Sequence, residues 1–131
     1  MNFALELRRF AEKTNSQMDA VVRNIVVEIG QRVVSRTPVK TGLARGNWQF
    51  SVGEPILAPT SKLDPSGGGV AGAIKAGIPV QAAGRVYYLM NNASYILKLE
   101  GGSSLQAPKG MVGLTALEFP DIVAKARGSA L

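Results

Sequence analysis

Cysteine is absent from this 131-residue chain, and so is histidine. Without cysteine there are no disulfides and no thiolate metal sites. Without histidine the usual general base at neutral pH is missing, along with the commonest metal ligand. The two absences together remove most catalytic schemes, so the expectation is a protein that is not an enzyme, with no metal site and no cofactor. No segment approaches the roughly 20 apolar residues of a membrane helix. Arg8 and Arg9 follow only a short apolar stretch, so no signal peptide is expected, and the chain should reside in a cytoplasm or in a particle assembled there. Acids are missing between Glu28 and Glu54, where Arg32, Arg36, Lys40 and Arg45 add positive charge. The formal net charge is +6, from 15 Lys and Arg against 9 Asp and Glu. That excess suits a solvated face, an acidic neighbouring subunit or, third, phosphate.

What is present is a globular balance, 46% hydrophobic and 18% charged, in a length that suits one domain spanning residues 1–131. The chain is organised around Ser35 to Phe50, where the hydrophobic period changes. Pro38 lacks a backbone N–H and pushes Thr37 out of the α region, so a helix reaching Arg36 should stop there. Gly42 lets the chain turn sharply, and Trp48, Phe50 and Val52 alternate with Asn47, Gln49 and Ser51 as in a half-buried strand. The stretch therefore reads as a helix-to-strand corner with Thr37, Pro38, Gly42 and Trp48 as its structural residues. Trp48 is most simply a core anchor, and Arg45, placed on the opposite strand face, is an interface candidate.

On either side of the corner the elements follow from spacing. Phe3, Leu7 and Phe10 predict a short helix over 4–13. Thr14 to Gln17 reads either as weak helix interior or as a break with Ser16 as a cap. Val22, Ile25, Ile29 and Val33 predict the main helix, 17–36, with Asp19 and Arg23, and Glu28 and Arg32, as ion pairs at i,i+4. Leu43 to Glu54 reads as the first strand. Four prolines and the Gly67-Gly-Gly69 run then predict a largely flexible insertion over 55–83, with at most a helical turn or two at 71–76. Arg85 to Asn91 predicts the second strand, with Val86, Tyr88 and Met90 on one face and Tyr87 and Leu89 on the other. Apolar groups on both faces mean a central strand covered on both sides, which is the default reading, or a strand with one face kept for a partner, for which Tyr87 and Leu89 are the interface candidates. Ser94 reads as the cap of a short helix over 95–100, stopped by Gly101-Gly102. Met111 to Arg127 predicts a closing helix kinked by Pro120, or a strand to Glu118 followed by a helix, and 128–131 should fray. The fold class is α+β: a long N-terminal helix and a C-terminal helix on a small, mainly antiparallel sheet, with one long Gly/Pro-rich insertion loop.

Two motifs are weak. Gly67-Gly-Gly-Val-Ala-Gly72 fits a dinucleotide fingerprint by letter, but no strand enters it and no strong helix is predicted after it. Asn92-Ala-Ser94 is a glycosylation triplet that reads as a turn. Glu100 and Asp121 lack a nearby partner for acid/base work, so Glu100 reads as a structural or interface group.

The Thr37-Pro-Val-x-Thr-Gly42 corner followed by Arg45-x-Asn-Trp48 resembles the neck and tail-completion proteins of tailed bacteriophages, which join a DNA-filled head to a tail. A second block, Asn91 to Val112 with Tyr95 and Glu100-Gly101, is similar to that family's second signature in type and order. Lys40 stands where the family commonly has an acid, and Gly113 where a basic residue is usual. The resemblance implies a virion structural protein of the head-to-tail junction: a neck, tail-completion or tail-terminator subunit acting by protein–protein assembly in the host bacterial cytoplasm. Its implied partners are further copies in a homo-oligomeric ring, a hexamer as in related sixfold assemblies, and the head-connector and tail or tail-tube proteins. Viral DNA would pass through the channel without sequence-specific binding. The interface candidates are then Arg32, Arg36, Lys40, Arg45, Tyr87, Leu89, Tyr95, Glu100 and Lys109, and the 55–83 insertion would reach a neighbour or line the channel. A small basic nucleic-acid-binding protein using the Arg32 to Arg45 surface is the alternative, and predicts tight, steeply salt-dependent DNA binding.

Overall fold

A computed structural model of the protein describes the backbone from Phe3 to Ala130 and the side chains from Asn15 to Ser129. Helix α1 runs unbroken over Phe3–Arg36, 34 residues and so about 51 Å at 1.5 Å per residue. The break considered at Thr14 to Gln17 does not occur. Nothing between Phe3 and Ile29 is glycine or proline, and Asn, Ser and Thr each cost a helix interior only about 0.5 kcal/mol. The helix ends at the corner as expected: Thr37 N–H reaches back to the Val34 carbonyl and Thr37 Oγ1 donates to the Val33 carbonyl at 2.8 Å.

The strand expected from Leu43 begins later. Leu43–Gly46 form a single helical turn, α2, and β1 is Trp48–Val52. Gly42, at φ 94°, reverses the chain, and its carbonyl accepts the Gly46 N–H at 2.8 Å. Arg45 therefore sits on a helix, not on a strand face. Strand β1 pairs antiparallel with β2, Tyr87–Asn91, in the register Trp48 to Asn91 and Val52 to Tyr87. This register places Trp48, Phe50, Tyr87 and Leu89 on one face, packed on the core, with Phe50 and Tyr87 stacked at 5.9 Å. A two-stranded sheet is marginal alone and here depends on that packing.

The 55–83 stretch is not loop throughout: its middle is helical, and only 55–67 and 78–83 lack regular structure. Gly68–Gly77 form helix α3, and Val70, Ile74, Ile78 and Ala82 are all buried in the core with Val33, Val34, Trp48, Ala107 and Met111. Its glycines serve close packing and capping. Asp64 accepts hydrogen bonds from the Gly69 and Val70 N–H groups at the helix start, and Ile74 packs over Gly30, where a Cβ would lie 2.5 Å from its Cδ1. Residues 53–59, by contrast, are exposed.

Helix α4, Ile96–Glu100, stops at Gly101 as its sequence predicts, although Ser94 supplies no cap. The closing helix is two helices, α5 over Val112–Leu117 and α6 over Phe119–Ala130, parted at Glu118 because Pro120 cannot continue the α5 ladder. Gly128 to Ala130 belong to α6, and Leu131 lies outside the described residues. Helix α6 returns antiparallel along α1, linking Glu118 to Arg36, Lys125 to Glu28 and the Ala126 carbonyl to Asn24. The result is mixed helix and antiparallel sheet, with α1 packed against both α6 and α3, and α3 packed in turn against β1. Among the described residues no helix is long and apolar enough to cross a membrane.

Candidate assembly site at the corner

The corner is fixed from inside. Thr37 and Asn47 are essentially fully buried, and Trp48 Nε1 donates to Thr37 Oγ1 at 2.8 Å. Asn47 pairs with Thr60 through both ends of its amide, at 3.1 and 3.0 Å. Arg45 donates to the carbonyls of Thr37, Pro65 and Ser35 at 2.9, 2.7 and 3.0 Å, so it clamps the corner to the start of α3. These contacts tie the Asn47 and Trp48 signature residues to the preceding Thr-Pro turn.

The outer side of the corner meets the second sequence block. Gln106 Oε1 accepts the Val39 N–H at 2.8 Å and its Nε2 donates back to the Val39 carbonyl at 3.2 Å. Asn91 Nδ2 donates to the Ala44 carbonyl at 2.8 Å. Between the two blocks lies an open groove of about 580 Å³, walled by Pro38 to Ala44 on one side and by Tyr95, Leu99, Ser104 and Gln106 on the other. Leu105, between two of those residues, is 98% exposed, and Leu97 on α4 is 83% exposed.

The predicted site residues divide between surface and interior. Lys40 and Tyr95 line the groove, and Lys109 is exposed in the turn before α5. Glu100 has a structural contact: its carboxylate accepts the N–H groups of Met111, Val112 and Gly113 at 3.2, 2.9 and 3.0 Å, capping α5. Partial burial opposes its ionisation, but the bonds from Gly113, Val112 and Met111 outweigh this and hold its pKa below the ordinary 4.5. Tyr87 and Leu89 face the core, Tyr87 with its hydroxyl bonded to the Ala82 carbonyl at 2.5 Å, so the strand's outward face is Val86, Tyr88 and Met90.

Arg32 and Arg36 point into a charge cluster. Arg36 donates to Thr115 Oγ1 at 2.9 Å and to Glu118 Oε2 at 2.8 Å, and Arg32 pairs with Glu28 at 3.0 Å and Glu118 at 3.1 Å. The Arg36 hydrogen bond, followed by that from Arg32, lowers the Glu118 pKa to about 2 despite the cost of desolvation. Lys125, ahead of Arg32, depresses Glu28 in the same way, and Glu28 in turn raises Arg32. Three of the four cations of the acid-free stretch are thus engaged within the chain, which leaves Lys40 as the exposed one.

Sequence reasoning missed Glu118, Asp64 and Gln106. Asp64 was legible as an acid just ahead of a glycine-led apolar pair, Val70 and Ile74, four apart; no local signal marks Glu118 or Gln106. The Asp64 carboxylate also occupies the helix end that the glycine fingerprint would have offered to a phosphate. Among the described residues no group of three potential metal-binding side chains is found. No protein family, curated protein or solved structure matches the chain.

Proposed function

We propose that this chain is a structural subunit of the head-to-tail junction of a tailed bacteriophage, a neck, tail-completion or tail-terminator protein that acts by binding. The observation that carries the reading is spatial. The corner and the second block, distant in sequence, are the two stretches that resemble the phage family, and together they wall one solvent-open apolar groove. Paired signatures that build a common surface are expected of an assembly protein, whose function lies in docking.

In this reading the subunit forms a homo-oligomeric ring, docks against the head-side connector and the end of the tail, and lets DNA pass without reading its sequence. Heterologous contacts of this kind close when the rotation between copies closes. The test is electron microscopy of lysates from the parent phage with this gene disrupted. Filled heads and separate tails are the expected result; intact, infectious virions would overturn the proposal.

A further inference from the structure

The groove carries an unbalanced positive charge. Lys40 lines it, and Lys98, on α4 beside the wall residue Leu99 in sequence, is not one of the lining residues. Both lysines are exposed, and neither is ion-paired among the described residues. No acid lines the groove, and Glu100 and Asp64 are engaged as caps of α5 and α3. A ligand here must bring apolar side chains for Pro38, Leu43 and Leu99, and a carboxylate for Lys40.

The chain presents such a segment elsewhere. Glu54 is exposed, forms no ion pair among the described residues, and is followed by Pro55, Ile56 and Leu57, the last 72% exposed. The backbone of this stretch is pinned while its side chains point out. Asn92 Nδ2 donates to the Ile56 and Ala58 carbonyls at 2.9 and 3.2 Å, and Ser51 Oγ bonds the Glu54 carbonyl. A segment held in this way loses little conformational freedom on docking.

We propose that the Glu54 to Leu57 segment of one copy docks in the corner groove of the next, with Leu57 against Leu43 and Leu99 and the Glu54 carboxylate on Lys40. Knob and groove are different patches of the surface, so copies can join head to tail, each docking its knob in the groove of the next. The inference rests on the assembly reading above, and it supplies the contact that a ring of this chain requires.

Self-association of the purified chain, measured by light scattering and sedimentation, tests it. At about 100 µM the native chain should form oligomers. Lys40→Glu and Glu54→Lys should each weaken association at least about tenfold, and the double variant should recover most of it, because the swap restores opposite charges across the contact. Because the natural chain lacks cysteine, Lys40→Cys with Glu54→Cys should give a reducible ladder on oxidation, whereas Lys75→Cys with Glu54→Cys should not. A monomeric native chain at that concentration, a charge swap without rescue, or a ladder no stronger than the control overturns the proposal. Oligomers that pass these tests while the gene proves dispensable for joining heads to tails overturn the junction reading and leave this contact standing. Strict monomers of a gene product needed for joining do the reverse.

Discussion

Replacing Thr37 by Val removes one oxygen from the centre of the corner and changes almost nothing else in shape. Thr37 is fully buried, and its Oγ1 both donates to the Val33 carbonyl at 2.8 Å and accepts the Trp48 indole N–H at 2.8 Å. The substitution leaves that indole N–H buried without a partner, a desolvation cost of about 1–3 kcal/mol, and removes a second hydrogen bond contributing about 1 kcal/mol. A loss of about 2–4 kcal/mol is expected in all. With a urea m-value of about 1.5 kcal/mol/M, the unfolding midpoint should fall by roughly 1.3–2.7 M. Fluorescence of Trp48, the only tryptophan, follows the transition directly. Repeating the substitution in a Trp48→Phe background, read by circular dichroism, should cost at least about 1 kcal/mol less, because no indole remains to be orphaned. A Thr37→Val loss below about 0.5 kcal/mol, or equal losses in both backgrounds, would refute the argument that the Thr-Pro corner is held through Trp48.

Four further outcomes follow from the same geometry. Gly46→Ala places a Cβ 2.0 Å from the Lys62 carbonyl oxygen, a backbone clash that should cost about 3 kcal/mol in chemical denaturation. Asp64→Ala removes the carboxylate that caps α3 and should cost about 1–2 kcal/mol by the same measurement. The Glu118 pKa is lowered in the fold from 4.5 to about 2, so its contribution is complete above about pH 5 and is lost as pH falls toward 2; Glu118→Gln should flatten stability against pH across that window. Duplex DNA should bind no tighter than about 1 µM at physiological salt, as a titration by anisotropy will show, because Arg32, Arg36 and Arg45 are engaged internally.

The sequence made the corner legible because its residues act locally. Pro38 stops a helix wherever it stands, Gly42 permits a positive φ, and the valine and isoleucine spacing of 22–33 specifies the buried face of α1. Trp48 as a core anchor follows from the alternation around it. The turn α2 was hidden because four residues, Leu43 to Gly46, carry no resolvable period, and its conformation is set by Pro65 and Lys62 closing over Gly42 and Gly46. Helix α3 was hidden by its own composition: five glycines in Gly68–Gly77 and the preceding residue lower local propensity. Burial of Val70 and Ile74 and the distant Gly30 decide its structure instead. The groove shows the same division. Lys40 and Tyr95 were picked from sequence because they lie in recognisable blocks, whereas Gln106 joins those blocks through a pairing 67 residues away. Arg36 was read as surface charge because its partner Glu118 is 82 residues distant.

Complementation of the gene-disrupted particles with purified protein tests the central claim most directly. Native protein added to separated heads and tails should restore joined, infectious particles, while Lys40→Glu with Leu57→Asp, folded by circular dichroism, should not. Restoration by that variant at the native rate, or joined particles before any protein is added, would contradict the account.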